Sequence, residues 1–315
     1  MRSAEPLAAA RRRPAADRAT PRRLFWRRFR RHRLAMASGL FLLALAALCL
    51  AAPLVAALLG HDPGAVDLFN RFAPPGAGHP LGTDELGRDL LLRLLYGGRV
   101  SLLVGLVGAL AAAVIGTGVG LLAGYLGGHL DAVLMRLTDT VIALPLLPLL
   151  IVLAAVDMEK LGLPAALGRG EAGSVFRIVL IVALVGWTTV ARLVRGAALS
   201  VREREFVRAA VALGAGPVRV MAVHILPSVA SPVIVATTLS VGNVILTESV
   251  LSFLGLGIQP PLPSWGNMLT NAQELIWQAP LLAVYPGLLI FLTVIAFNFL
   301  GDGLQDALDP RAGAA

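Results

Sequence analysis

The sequence predicts an all-α fold, a polytopic membrane protein with six transmembrane helices. Three observations carry that reading. Hydrophobic residues make up 57% of the 315 positions, and the mean hydropathy is +0.78, more than a water-soluble domain of this length carries. Six apolar runs reach the roughly 20 residues that a hydrocarbon core of about 30 Å requires. The net charge of +8 is concentrated at the start of the chain, in Arg11–Arg13 and in the stretch RRLFWRRFRRHR from Arg22 to Arg33.

The basic tail, residues 1–33, admits two readings, a nucleic-acid-binding arm or a cytoplasmic tail held by anionic lipid. It abuts an apolar helix, and the positive-inside rule then favours lipid and no nucleic acid. It is too long, and the run after it too extended, for a cleaved signal peptide, so the segment is read as retained. The apolar runs follow at 34–59 (Pro53 near its end), 100–126, 132–156 (Pro145 and Pro148 inside), 175–194, 229–256 and 281–300. With the tail inside, both termini are expected in the cytoplasm and segments 60–99, 157–174 and 257–280 outside. The 196–228 loop then lies inside and carries Arg202, Arg204, Arg208 and Arg219, as the rule asks. Five domains follow: the tail at 1–33, the first span at 34–59, an extracytoplasmic segment with an interfacial helix at 60–99, a core at 100–304, and a C-terminal tail at 305–315.

Between the fourth and fifth runs lies SVREREFVRAAVALGAGPVRVMAVHILP, residues 200–227. Ser200 and Glu203 have capping-box spacing. The helix so started puts Phe206, Ala209, Ala210 and Leu213 on one face. Gly214 suits a left-handed C-terminal cap, Pro217 the first turn of a second helix, and Pro227 its end at the membrane. One reading is an interfacial hairpin that connects two spans. The other is a docking knob, with Phe206 as anchor and small residues permitting close approach.

Several further residues stand out. Gly116, Gly120 and Gly124 form a small-xxx-small ridge, fit for helix packing and open to a lining role. Arg136 and Asp139 have pairing distance on a helix. Pro145 and Pro148 should kink the third span. Asn243 and Glu248 lie inside the fifth span, where an ionisable group must face protein or a water-filled path. Together with Asp139 they are the candidates for a translocation path, and a buried, satisfied Glu248 is the alternative. Thr83-Asp84-Glu85 is expected to cap an interfacial helix carrying Leu86, Leu90 and Leu94. Trp265, after Pro260, Pro261 and Pro263, suits an interfacial anchor. Cys49 is the lone cysteine, so no internal disulfide forms. The histidines at 32, 61, 79, 129 and 224 are spaced too widely to announce a metal cluster. Lys160, the only lysine, cannot complete a phosphate-binding G-x-x-x-x-G-K-[ST] motif, and no hydrolase motif is present, so no catalytic residue and no cofactor is expected in this chain.

The loop resembles the EAA loop of bacterial ABC importer permeases: E-A-A, Gly four residues beyond the second Ala, then I-x-L-P or a variant. Here it reads Arg208-Ala209-Ala210, Gly214 and Ile225-Leu226-Pro227, with Arg in place of the first Glu. HPLGTDELGRDLLLRLLYGGRVSL (79–102), LSFLGLGIQPPLPSWGNML (251–269) and DGLQDALDPR (302–311) are similar to stretches of the C-type subunit in the dipeptide, oligopeptide and nickel permease family. The resemblance implies one N-terminal helix plus a five-helix permease core, in the bacterial inner membrane. It implies as partners a second, related permease subunit, two cytoplasmic ATPase subunits that bind the ATP and Mg, and an extracytoplasmic solute-binding protein. It makes the loop a coupling helix, with Glu203, Glu205, Phe206, Arg208, Ala209, Ala210, Gly214, Ile225, Leu226 and Pro227 docking on an ATPase. The function expected is a permease subunit for peptides or similar small solutes. The alternatives are a stand-alone secondary transporter or channel using Glu248 and Asp139, or a membrane scaffold.

Overall fold

A computed structural model describes residues 21–156 and 170–308. Arg11–Arg13, Lys160, most of the 157–174 segment and the last seven residues lie outside that range. Among the described residues the regular structure is helical. It comprises α1 (Pro21–Arg31), α2 (Arg33–Leu50), α3 (Ala52–Leu59), α4 (Leu90–Leu126), α5 (Gly128–Ala143), α6 (Leu146–Ala155), α7 (Gly170–Arg202), α8 (Glu205–Ala212), α9 (Pro217–Phe253), α10 (Ala272–Leu275) and α11 (Leu281–Leu308). Helices α2, α4, α7, α9 and α11 are each long and apolar enough to cross a bilayer; α5 and α6 make a sixth span if counted together.

The all-α membrane fold agrees with the sequence reading, and the differences are local. The first run is broken at Ala51, where Pro53 falls in the first turn of α3. The second run starts ten residues early, at Leu90. Thr83 does not cap it. Asp84 folds residues 84–88 into a closed turn, its Oδ1 accepting the Leu86 and Arg88 N–H groups. The helix therefore starts after that turn, with Asp89 accepting the Leu92 N–H at 2.9 Å. The separate interfacial helix expected from 83 onward is thus the first part of α4. Pro145 does more than kink the third run, since α5 and α6 meet at 93°. Residues 144 and 145 are extended there, as the ring of a proline disfavours the helical region for the residue before it.

The bundle is organised around α4, which packs along α7 and also meets α9; α9 packs on α11, and α11 on α2. Gly116, Gly120 and Gly124 all face α7. A Cβ on Gly120 would stand 2.6 Å from the carbonyl oxygen of Ala191, and one on Gly116 would stand 2.5 Å from that of Trp187. The ridge is therefore a packing device that brings two backbones together. Leu40, Leu43, Leu54 and Leu58 point outward, as lipid-facing side chains do. Helix α1 is not a loose tail. Phe29 is buried with Ala35 and Ala307, and Phe25 stacks on Phe29 with ring centroids 5.8 Å apart.

Trp265 is not an interfacial anchor. It has no exposed surface, and its indole N–H donates to the Leu94 carbonyl at 2.9 Å. The 258–267 segment folds back into the mouth of the bundle and brings the indole with it.

Candidate functional site

Beyond the last turn of α7 the chain forms a knuckle, built from α8 and the start of α9. The capping box proposed for Ser200 does not form, because α7 continues to Arg202 and Ser200 lies inside it. The first residue before α8 is instead Arg204, without a side-chain cap. The Glu203 carboxylate accepts from the Arg208 guanidinium at 2.6 Å and from Arg202 at 3.4 Å. These contacts, that with Arg208 first, hold the carboxyl below its ordinary pKa. The Arg in place of the motif's first Glu thus has an acidic partner five residues earlier.

At its far end α8 closes with a Schellman motif. The Ala215 N–H reaches the Ala210 carbonyl at 3.0 Å and the Gly214 N–H reaches that of Val211 at 2.9 Å. Gly214 has φ +87, a conformation that penalises any side chain with a Cβ, so glycine suits the turn. Pro217 occupies the first turn of α9, as its missing N–H allows. Pro227 does not end that helix. Residues Val220–Ile225 are wound as a π-helix, and α9 then continues through Pro227 to Phe253. The wider turn lies next to the position where the proline ring would meet the preceding carbonyls.

The knuckle has two faces. Val207, 1% exposed, packs with Leu121, Val194, Val220, Ile225 and Val229. Arg202 ties it to the end of α4 by donating to the Tyr125 carbonyl at 3.1 Å. Opposite them, Phe206 is half exposed, Val218 is 74% exposed and Leu213 is 89% exposed. Ala209 lies on that outer side, with Glu205, Arg208, Leu226 and Pro227 also exposed, while Ala210 is half-buried. The Phe206, Ala209 and Leu213 stripe therefore faces out, and Val207, off the stripe, holds the helix to the bundle.

The three path candidates separate. Asn243 lines a cavity of about 480 Å³ beside the α5–α6 bend, together with Thr188, Thr189, Ser240 and Thr247. Glu248 has no exposed surface. Its carboxyl accepts from Ser101 at 3.2 Å and from Ser252 at 2.6 Å, in the contact between α4, α9 and the 258–267 segment. That is the buried, satisfied arrangement rather than a path wall. Asp139 does not pair with Arg136; Arg192 of α7 donates to it at 2.5 Å. One helical turn along α7, Arg195 holds Asp131 by two bonds of 2.5 and 2.6 Å.

Sequence spacing missed one constellation. His61, His79 and Asp89, 28 positions apart at the extremes, converge at the opposite end of the bundle, with one ligand atom of each within 4.8 Å of the others. The spacing that argued against a metal cluster did not foresee this convergence. The fold of the 60–89 loop makes the cluster, and no short motif announces it.

The chain matches two family models. Residues 116–313 match the binding-protein-dependent transport system inner membrane component, and residues 20–75 the N-terminal TM domain of oligopeptide transport permease C. The glutathione transport system permease protein GsiD of Pectobacterium atrosepticum is 41% identical over 293 residues, covering 93% of this chain and 92% of that one. The probable D,D-dipeptide transport system permease protein DdpC of Escherichia coli K12 is 41% identical over 256 residues, 81% of each chain. A helical bundle crossing the membrane, an outward apolar knuckle between its fourth and fifth runs, and these matches over nearly the whole length lead to one assignment: the chain belongs to the family of binding-protein-dependent transport system inner membrane components.

Proposed function

We propose that the chain forms one half of the translocation path of an ATP-driven importer for small peptides or peptide-like solutes, and that residues 203–227 dock on a cytosolic ATPase. As a member of this family it is a non-catalytic membrane subunit. The observation that carries the docking reading is the division of labour within the knuckle. Val207 and Ile225 fix it to the bundle, and among the described residues Leu213 and Val218 stay largely exposed and Phe206 half exposed. Exposed apolar residues rimmed by Glu203, Glu205 and Arg208 fit a partner surface better than a connector.

Coupling then runs through stiff elements. Nucleotide-driven closure of two ATPase subunits displaces α8. Val207 and the Arg202–Tyr125 contact transmit the displacement to α4, α7 and α9, and these tilt the walls of the cavity at Asn243 between inward and outward opening. ATP and Mg belong to the ATPases. A second, related permease subunit completes the path against the open side at α5 and α6, where Thr138 is the only buried residue of α5. An extracytoplasmic binding protein supplies the solute. With the basic tail inside, both termini and the knuckle face the cytoplasm of a bacterial cell, and the 60–89 loop faces outward. The relatives, permeases of a glutathione and a probable D,D-dipeptide transport system, support a short peptide as cargo.

The test is Ala209→Glu, which sets a charge on the outer face without touching Val207. The variant is expected to insert in the membrane and lose co-purification with the ATPase. Retained co-purification at wild-type yield would remove the docking role. Uptake by the isolated chain in proteoliposomes would favour a stand-alone transporter, a reading that the buried Glu248 and the Arg192-paired Asp139 do not support.

A further inference from the structure

The transport reading makes no use of the His61–His79–Asp89 cluster, at the end of the bundle away from the knuckle. Three local features build it. Gly60 ends α3 in the left-handed conformation and sets His61 just past the helix. His79 sits in a turn whose carbonyl accepts from both Gly76 and Gly82. Asp89 caps α4 through Oδ1, which leaves Oδ2 turned toward both imidazoles. His79 Nδ1 is 2.9 Å from that oxygen and His61 Nδ1 is 3.7 Å from it. The two rings stack at 24° with centroids 4.6 Å apart. The carboxylate is 1% exposed, while the histidine side chains keep 31% and 25%.

One atom in this arrangement has no explanation within the chain. His61 Nδ1 is buried and makes no hydrogen bond. Its nearest acceptor is already engaged by His79. A buried polar atom left unpaired in an otherwise satisfied loop is a place to look for an ion. A neutral imidazole with its proton on Nε2 offers the Nδ1 lone pair, and two such nitrogens with one carboxylate oxygen are three donors converging on one point.

We infer that His61, His79 and Asp89 bind a divalent transition-metal ion of the Zn²⁺ class, which clamps the end of the N-terminal span to the start of α4. Two imidazoles and a carboxylate suit Zn²⁺ and its neighbours. Mg²⁺ and Ca²⁺ ask for more oxygens than the cluster holds. Bond lengths of about 2.0–2.2 Å around a tetrahedral ion put ligand atoms roughly 3.3 Å apart. The 2.9 and 3.7 Å separations from the carboxylate bracket that value, and with all three ligand atoms within 4.8 Å of one another the two rings have only to turn toward a shared ion. The partly exposed rings leave one coordination position to water. The ion would close the loop between α3 and α4 and add stability, because the unfolded chain holds no such site.

The test uses the full-length, untagged chain in detergent, stripped with chelator and titrated with Zn²⁺. About one equivalent is expected to bind and to raise the unfolding temperature. His61→Ala and Asp89→Asn are each expected to weaken binding at least about tenfold and to abolish the thermal shift. Asn caps helices as well as Asp, so Asp89→Asn retains the start of α4. His129→Ala, on α5, should bind as the wild type does. Co²⁺ in the wild-type chain should give the intense visible bands of a four-coordinate site with nitrogen ligands, a readout that needs no variant. The inference is overturned if the wild-type chain takes up no stoichiometric Zn²⁺, if Co²⁺ gives only the spectrum of the hydrated ion, or if His61→Ala and Asp89→Asn bind at full affinity. None of these readouts involves the ATPase or transport, so failure here leaves the docking proposal untouched.

Discussion

Ser101 and Glu248, 147 residues apart, meet in a hydrogen bond of 3.2 Å at the centre of a buried polar cluster. The same serine oxygen accepts the backbone N–H of Trp265, and Ser252, on the other side of the carboxyl, accepts that of Ile258. Glu248 thereby holds the folded-back 258–265 segment to α4 and α9 through two serine relays. Glutamine keeps an acceptor there. Glu248→Gln is therefore expected to leave uptake and substrate-stimulated ATPase activity of the assembled complex close to wild type. Glu248→Ala strands Ser101 and Ser252 and opens a cavity; it should cost about 1–3 kcal/mol, read as a lower unfolding temperature in detergent. If Glu248→Gln abolished transport while leaving stability intact, the carboxyl would be a working group of the path and not a structural one.

The glycine ridge yields a paired comparison. A Cβ at Gly120 would meet the Ala191 carbonyl and the Arg195 N–H group, both backbone atoms that cannot step aside. Gly118, two residues earlier on the same helix, has nothing within 4 Å. Gly120→Ala is expected to destabilise the chain by about 1–3 kcal/mol, whereas Gly118→Ala should be neutral or slightly stabilising, since alanine is the better helix former. Thermal unfolding of the two variants side by side checks this. Equal midpoints would show that α4 and α7 are not held as closely as the structure places them.

How much of this was legible in the sequence depends on the range of the interaction. Membrane spans are a property of local composition, so the apolar runs and their order could be read directly. Gly214 and Pro217 also act on their own backbone, and both do what their residue type dictates. Helix ends were less legible. Ser200 and Thr83 have cap-forming side chains, but α7 passes through the first, and the hydroxyl of the second is taken up by Ala73 and Asn70. Pro145 announces a bend, yet whether the result is a kink or a 93° break depends on what packs around it. Contacts between distant segments left no local signal. Nothing near Asp139 names Arg192, and nothing near His61 names Asp89. The outward stripe of α8 was visible as a stripe, but periodicity cannot say which side of a short helix faces the bundle.

The Glu203 carboxyl offers a pH-resolved check. Its pKa is lowered first by the hydrogen bond from Arg208 and then by that from Arg202. A depressed acid contributes its stabilisation above its unfolded-state value and loses it as pH falls through the folded-state value, so the pair is complete near neutrality. Arg208→Gln is expected to raise the Glu203 pKa toward the ordinary carboxylate value, and Arg202→Gln to raise it less. Site-resolved NMR titration of the carboxyl carbon measures both. Because the pair is exposed, neither change should move the unfolding temperature appreciably. A larger effect from Arg202→Gln would reverse the ranking that the 2.6 and 3.4 Å contacts imply.

Phe206 and Val207 are neighbours with opposite exposure, and substitutions at the two separate the proposed docking from folding. Phe206 stands half exposed near His224, with ring centroids 6.4 Å apart, while Val207 is 1% exposed in the cluster that joins α8 to α7 and α9. An exposed aromatic at a docking face is the type of residue that dominates interface energy. Phe206→Ala is expected to weaken ATPase association by roughly 30-fold or more, equivalent to about 2 kcal/mol, with the unfolding temperature unchanged. Val207→Ala removes methyl groups from a packed cluster and should cost on the order of 2 kcal/mol of stability, with docking weakened only as far as the knuckle loosens. Association measured by surface-immobilised ATPase, alongside thermal unfolding of each variant, reads the two effects apart. Should Phe206→Ala bind as tightly as the wild type, the outer face of α8 would not be the contact surface, and the coupling route through Val207 would lose its point of entry.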